Sequence, residues 1–144
     1  MKRILITLTA LFFTAFILSG QDSRDMVSKC ALGIGENTTY LKDFVIKLMA
    51  ASSGSETPVY KANIYLMKNQ TYLFTMCNGD GSEGELVLQL YDKEKQIISS
   101  YNRNTDMVYS ALEFVCNKTG LYTLWYSFND GKRGNGVGIV SLLK

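Results

Sequence analysis

A chain of 144 residues with no histidine, a single proline, three cysteines and 15 basic against 13 acidic side chains rules out several classes of chemistry. Without imidazole there is no Ser-His-Asp or Cys-His nucleophile system and no histidine metal ligand, which leaves carboxylates and lysines as candidate acids and bases. A nucleic-acid binder needs a basic face to displace counterions from phosphates; here Lys132-Arg133 is the only adjacent basic pair after residue 3 and reads as part of a solvated loop.

Residues 1–20 have the order of a secretory signal peptide. Lys2 and Arg3 open it, Ile4 to Leu18 form an apolar run of fifteen interrupted by Thr7, Thr9 and Thr14, and Ser19-Gly20 precede a polar stretch, Gln21 to Asp25. A spanning helix needs about 20 apolar residues, so an uncleaved anchor is the second reading. No cysteine lies between Leu18 and Gln21, so lipid attachment there is not expected. Cleavage after Gly20 leaves 124 residues with 13 charges of each sign. That is one neutral domain by length, large enough for a core.

Residues 21–37 read as a lead-in, polar at first and then broken by Gly33 and Gly35. From residue 38 to 144 the period is two, the signature of half-buried strands. Tyr40, Phe44, Ile46 and Leu48 share the first face, with Lys42 out of pattern. After a serine-rich loop, Ala50 to Pro58, come Tyr60, Ala62, Ile64 and Leu66, then a turn at Lys68-Asn69-Gln70. Tyr72, Phe74 and Met76 precede a glycine-rich loop, Asn78 to Gly84. Leu86, Leu88 and Leu90 precede a charged turn, Asp92 to Lys95. Gln96 to Tyr101 reads as a short strand and Asn102 to Asp106 as a loop. Leu112, Phe114 and Cys116 mark the next strand, and Asn117 to Gly120 a tight turn. Leu121 to Phe128 is apolar on both faces, which suits a central strand. Asn129 to Gly136 reads as a loop holding the turn pair Asp130-Gly131, and Val137 to Leu143 as the last strand. About eight short strands with few helices give an all-β sandwich or barrel. Turns this short require antiparallel pairing.

Three cysteines allow one bridge, which export would permit. Cys77 and Cys116 each end a predicted strand before an Asn and a glycine-containing turn, and are the favoured pair. Their loop of about 40 residues is worth roughly 4 kcal/mol on the chain-entropy argument. Cys116 shares its face with Leu112 and Phe114, whereas Cys77 shares the less apolar face of Leu73 and Thr75. Three separate buried thiols are the alternative.

Asn78, Asp80, Ser82, Glu83 and Glu85 put five oxygen-bearing side chains in eight residues, a candidate calcium loop. An EF-hand would want glycine at the sixth position, where Glu83 stands, and glutamate at the twelfth, where Gln89 stands. The alternative is a charged hairpin loop. Trp125 with Tyr91, Tyr101 and Tyr109 forms a candidate stacking platform for sugar rings, against the ordinary use of aromatics in cores and interfaces. Glu83 with Glu85, or Asp80 with Asp106, are the candidate carboxylate pairs for glycoside hydrolysis. Asn37, Asn69 and Asn117 each begin an Asn-X-Thr sequon.

The run from Tyr60 to Phe128 also carries a family pattern. A strand and turn lead into an aromatic strand (Tyr65-Leu66-Met67-Lys68-Asn69-Gln70-Thr71-Tyr72-Leu73-Phe74). Leu86-Val87-Leu88-Gln89-Leu90-Tyr91-Asp92 follows, and then Phe114 ahead of Thr119-Gly120-Leu121-Tyr122. This pattern resembles the bacterial pre-peptidase C-terminal domain. The resemblance implies a jelly-roll-like antiparallel β-sandwich acting as a non-catalytic accessory module, which in that family trails a secreted peptidase and aids export, substrate contact or solubility. No peptidase precedes the run here. The expectation is an exported, non-enzymatic binding or accessory module of the cell envelope or extracellular space. It would contact protein or glycan through loops at one end, with no cofactor unless calcium, no nucleic acid, and no membrane contact beyond an uncleaved signal segment. A small carboxylate-dependent hydrolase and a structural subunit joined through edge strands are the alternatives.

Overall fold

The structure, a computed structural model, describes residues 18–144, so most of the signal segment lies outside the described residues. Ten strands follow one helix. The strands are β1 (Thr38–Leu48), β2 (Tyr60–Leu66), β3 (Thr71–Asn78), β4 (Leu86–Asp92), β5 (Lys95–Ser99), β6 (Tyr101–Asn102), β7 (Met107–Val108), β8 (Ala111–Val115), β9 (Gly120–Phe128) and β10 (Gly134–Leu143). The first sheet has the order β1-β10-β3-β8 and the second β2-β9-β4-β5. All pairings are antiparallel.

The order is that of a jelly roll. The eight longer strands pair as a nested hairpin, β1 with β10, β2 with β9, β3 with β8 and β4 with β5. Rolling that hairpin brings β10 against β3 and β9 against β4, which completes the two sheets. Alternation then sends one face of every strand inward. Ile46, Leu66, Phe74, Leu88, Leu124 and Tyr126 meet in the core and are fully buried.

Three local expectations are corrected. The lead-in is not irregular: Leu18–Leu32 is helix α1. Met26, Val27, Cys30, Ala31 and Ile34 recur at helical spacing, and pack on the outer face of the first sheet against Val45, Cys77, Val137 and Ile139. The last strand starts at Gly134 rather than Val137. Glycines 134, 136 and 138 face Phe128, Leu86 and Tyr126 of the second sheet, and a Cβ on any of the three would overlap that side chain or the neighbouring backbone. The loop after Tyr101 is a small ribbon, β6 with β7. The chain leaves the second sheet at Ser100, whose buried hydroxyl accepts the Leu88 N–H at 2.8 Å.

The disulfide joins Cys30 to Cys77, with Cα atoms 5.8 Å apart, and Cys116 is a buried free thiol. The expected Cys77–Cys116 bridge fails on two counts. Thr71 pairs with Val115, so the two cysteines lie at opposite ends of β3, roughly 20 Å apart at a strand's rise. Cys116 also points into the core while Cys77 points outward to α1. No bridge spans that separation.

Candidate functional site

The two outer faces of the sandwich differ. The first carries α1. The second, formed by β2, β9, β4 and β5, carries no helix among the described residues and is closed over only at one end, where outward-facing Val87 is buried beside Thr57, Val59 and Tyr101. Its outward side chains follow from register: Lys61, Trp125 and Gln89 form one row, Asn63, Thr123, Tyr91 and Gln96 the next, and Tyr65 with Leu121 a third.

The Trp125 and Tyr91 rings stack with centroids 4.4 Å apart. The Lys61 ammonium lies 3.7 Å from the indole centroid, a close cation–π geometry. Since Lys61 comes from β2 and Tyr91 from β4, Trp125 stands as a ridge supported from both flanking strands. Around the ridge, Gln89 Nε2 donates to Gln96 Oε1 at 3.0 Å, the Tyr91 hydroxyl donates to the same oxygen at 3.3 Å, and the Thr123 hydroxyl donates to Asn63 Oδ1 at 3.1 Å. A depression of about 330 Å³ lies at one end, walled by Trp125, Tyr101, Val87, Gln89, Ser127 and Asp130 among others. Another of about 360 Å³ lies toward the far end of β9, with Leu121, Thr123 and Lys93 in its walls. Tyr65 and Leu121, paired across β2 and β9, are 65% and 61% exposed.

Of the four predicted platform residues the structure brings three together. Trp125 and Tyr91 stack. Tyr101 shares the first depression with Trp125, and its hydroxyl donates to Asp106 at 2.8 Å, a bond that pushes the phenol pKa upward. Tyr109 stands apart beyond β7, where its backbone N–H donates to Ser100. Lys61, Asn63, Gln89, Gln96 and Thr123 were not anticipated. For Lys61, Asn63, Gln89 and Thr123 the signal was parity, since each alternates with an inward residue on its strand; Gln96 sits outward only because the register shifts between Leu90 and Tyr91.

Three of the five side chains of the candidate calcium loop are engaged within the protein. Asn78 Oδ1 accepts the Leu86 N–H at 2.8 Å, the Ser82 hydroxyl donates to the Gly84 carbonyl at 3.1 Å, and the Arg133 guanidinium donates to Glu83 at 2.7 Å. Among the described residues no group of three or more Asp, Glu, Cys or His side chains is placed to hold a metal ion. The carboxylate pairs have separate surroundings. Glu83 is bridged to Arg133 and Asp106 is occupied by Tyr101. Asp80 lines a depression of about 270 Å³ beside the disulfide, with Asp22, Asp25, Lys29 and Asn135. The sequon residues Asn37, Asn69 and Asn117 are all exposed.

Among the described residues no helix is long and apolar enough to cross a membrane. No protein-family model matches this chain, and no curated protein matches it.

Proposed function

We propose that the chain is a non-catalytic exported binding module that holds a glycan on the outer face of its second sheet. The observation that carries this reading is the Trp125–Tyr91–Lys61 stack on a face that carries no helix among the described residues. Aromatic rings offer a sugar's C–H surface a flat apolar partner, and amides and hydroxyls in fixed mutual bonds present their free ends to vicinal hydroxyls. The site is a sheet face rather than the end loops. The signal-like residues 1–20 and the resemblance of residues 60–128 to an accessory domain of exported peptidases support the same reading, as does a disulfide, which persists in oxidising compartments.

The test compares the full chain with Trp125→Ala and Tyr91→Ala on an array of linear and branched glycans and on envelope extracts. Glycan binding that is lost in both variants, while their thermal melts stay cooperative, is the expected result. Capture of a protein by the same face would replace glycan with protein as the ligand. Binding that survives both substitutions would remove the face from the proposal.

A further inference from the structure

We infer that the Cys30–Cys77 disulfide is a redox latch: it holds α1 against the first sheet, and its reduction undocks the helix and uncovers an apolar strip on β1 and β10. The strip consists of Val45, Val137 and Ile139, the last two fully buried under the helix.

The helix is poorly held by anything else. Cys30 is its only fully buried residue among those described; Met26, Val27 and Ala31 are half-buried, as is Ile34 just beyond, and Leu32 is 87% exposed. Among the described residues no side-chain hydrogen bond or ion pair joins α1 to the sheet. A helix draws most of its stability from the packing of its apolar face, and the described part of α1 packs little. Removing the covalent bond therefore removes the strongest single constraint on its position.

The bond is also reachable and its chemistry closed. Both cysteines line the open depression bounded by Asp22, Asp25 and Asp80, and Cys77 is only half-buried, so a reductant approaches the bond from the Cys77 side without unfolding the sandwich. A dithiol's thiolate attacks one sulfur and forms a mixed disulfide. Its second thiol then displaces the protein sulfur, leaving Cys30 and Cys77 as thiols and the reductant as its own disulfide. Cys116, at the other end of β3 and inside the core, cannot re-pair with either. The latch has two states, and the compartment's redox poise selects between them.

Hydrogen exchange of the full chain, oxidised and after dithiothreitol treatment under native conditions, tests this, with thiol counting to establish three free thiols. The expected result is that amides from Met26 to Leu32 lose protection by about tenfold or more, as a local opening requires. Those of β4 and β9 change little, and binding of a hydrophobic dye rises. A Cys116→Ala variant behaves the same way. The Cys30→Ser/Cys77→Ser variant shows the open pattern without reductant; should it not fold, the reduced native chain still decides. Unchanged helix protection after full reduction would overturn the latch. Loss of protection across both sheets together would also overturn it, by making the bond a global staple.

Discussion

Gly138 on β10 faces the hydroxyl of Tyr126 across the sandwich, so closely that a Cβ at position 138 would overlap the phenol. Tyr126 is fully buried and its hydroxyl has no hydrogen-bond partner among the described residues. The glycine supplies the room for that ring, because a core at crystal-like density has nowhere else to put it. Gly138→Ala should therefore destabilise the fold by about 1–3 kcal/mol, the range for overpacking. Tyr126→Phe, which deletes an unsatisfied buried hydroxyl, should be neutral or stabilising. The double variant should lose less than Gly138→Ala alone, and urea denaturation of all four proteins measures that coupling. Strict additivity would show that the ring and the glycine do not constrain each other.

How much of this could be read beforehand depended on the period. Phe74, Leu88 and Leu124 each recur at a spacing of two with other large apolar residues (Tyr72 and Met76, Leu86 and Leu90, Tyr122 and Tyr126), and their strands and inward faces follow directly. Gly134 and Gly136 reproduce the composition of a loop, and only the partner sheet explains them as strand residues. The helical stripe of Met26, Val27, Cys30, Ala31 and Ile34 was present but diluted by polar neighbours and followed by Gly33 and Gly35. Strand ends alone point Cys77 to the wrong partner, since its bond goes to Cys30 on α1. Its outward parity, opposite to that of Cys116, already pointed to a partner outside the sandwich. At the candidate site Trp125 and its aromatic neighbours were legible as residue types. Lys61 and Gln96 required the register of β2 with β9 and of β4 with β5.

Calcium should leave the thermal midpoint unchanged. The Asn78 and Glu83 oxygens already hold the Leu86 N–H and the Arg133 guanidinium, so a cation would have to displace both. Melting curves with and without millimolar calcium check this. A rise of several degrees, as any ion with affinity for the folded state alone produces, would restore the loop as a metal site.

Alkali should unfold the protein through its buried phenols. Burial, and then the adjacent Cys116 thiol, push Tyr122 up to about 12, and burial carries Tyr126 higher still. In the unfolded chain both ionise near about 10. The folded state thus keeps protons that the unfolded state releases, so this stabilisation is present below pH 10 and is lost as pH rises through 10 toward 12. Urea midpoints across that window should fall, and the fall should be shallower in Tyr126→Phe. A midpoint independent of pH there would mean that these phenols ionise alike in both states.

The charge around the disulfide should discriminate among reductants. Asp22, Asp25 and Asp80 line its depression against the single ammonium of Lys29, so an approaching thiolate meets net negative potential. A thiolate that carries its own ammonium, as in cysteamine, is repelled less than one that carries a second carboxylate, as in mercaptoacetate. After correction for thiolate fraction, cysteamine should reduce the bond severalfold faster at low salt. The gap should close as the screening length falls from about 30 Å at 0.01 M to about 3 Å at 1 M ionic strength. Asp25→Asn with Asp80→Asn should narrow the gap even at low salt. Equal rates for the two thiols at low salt would show that reduction proceeds by a route that bypasses this depression.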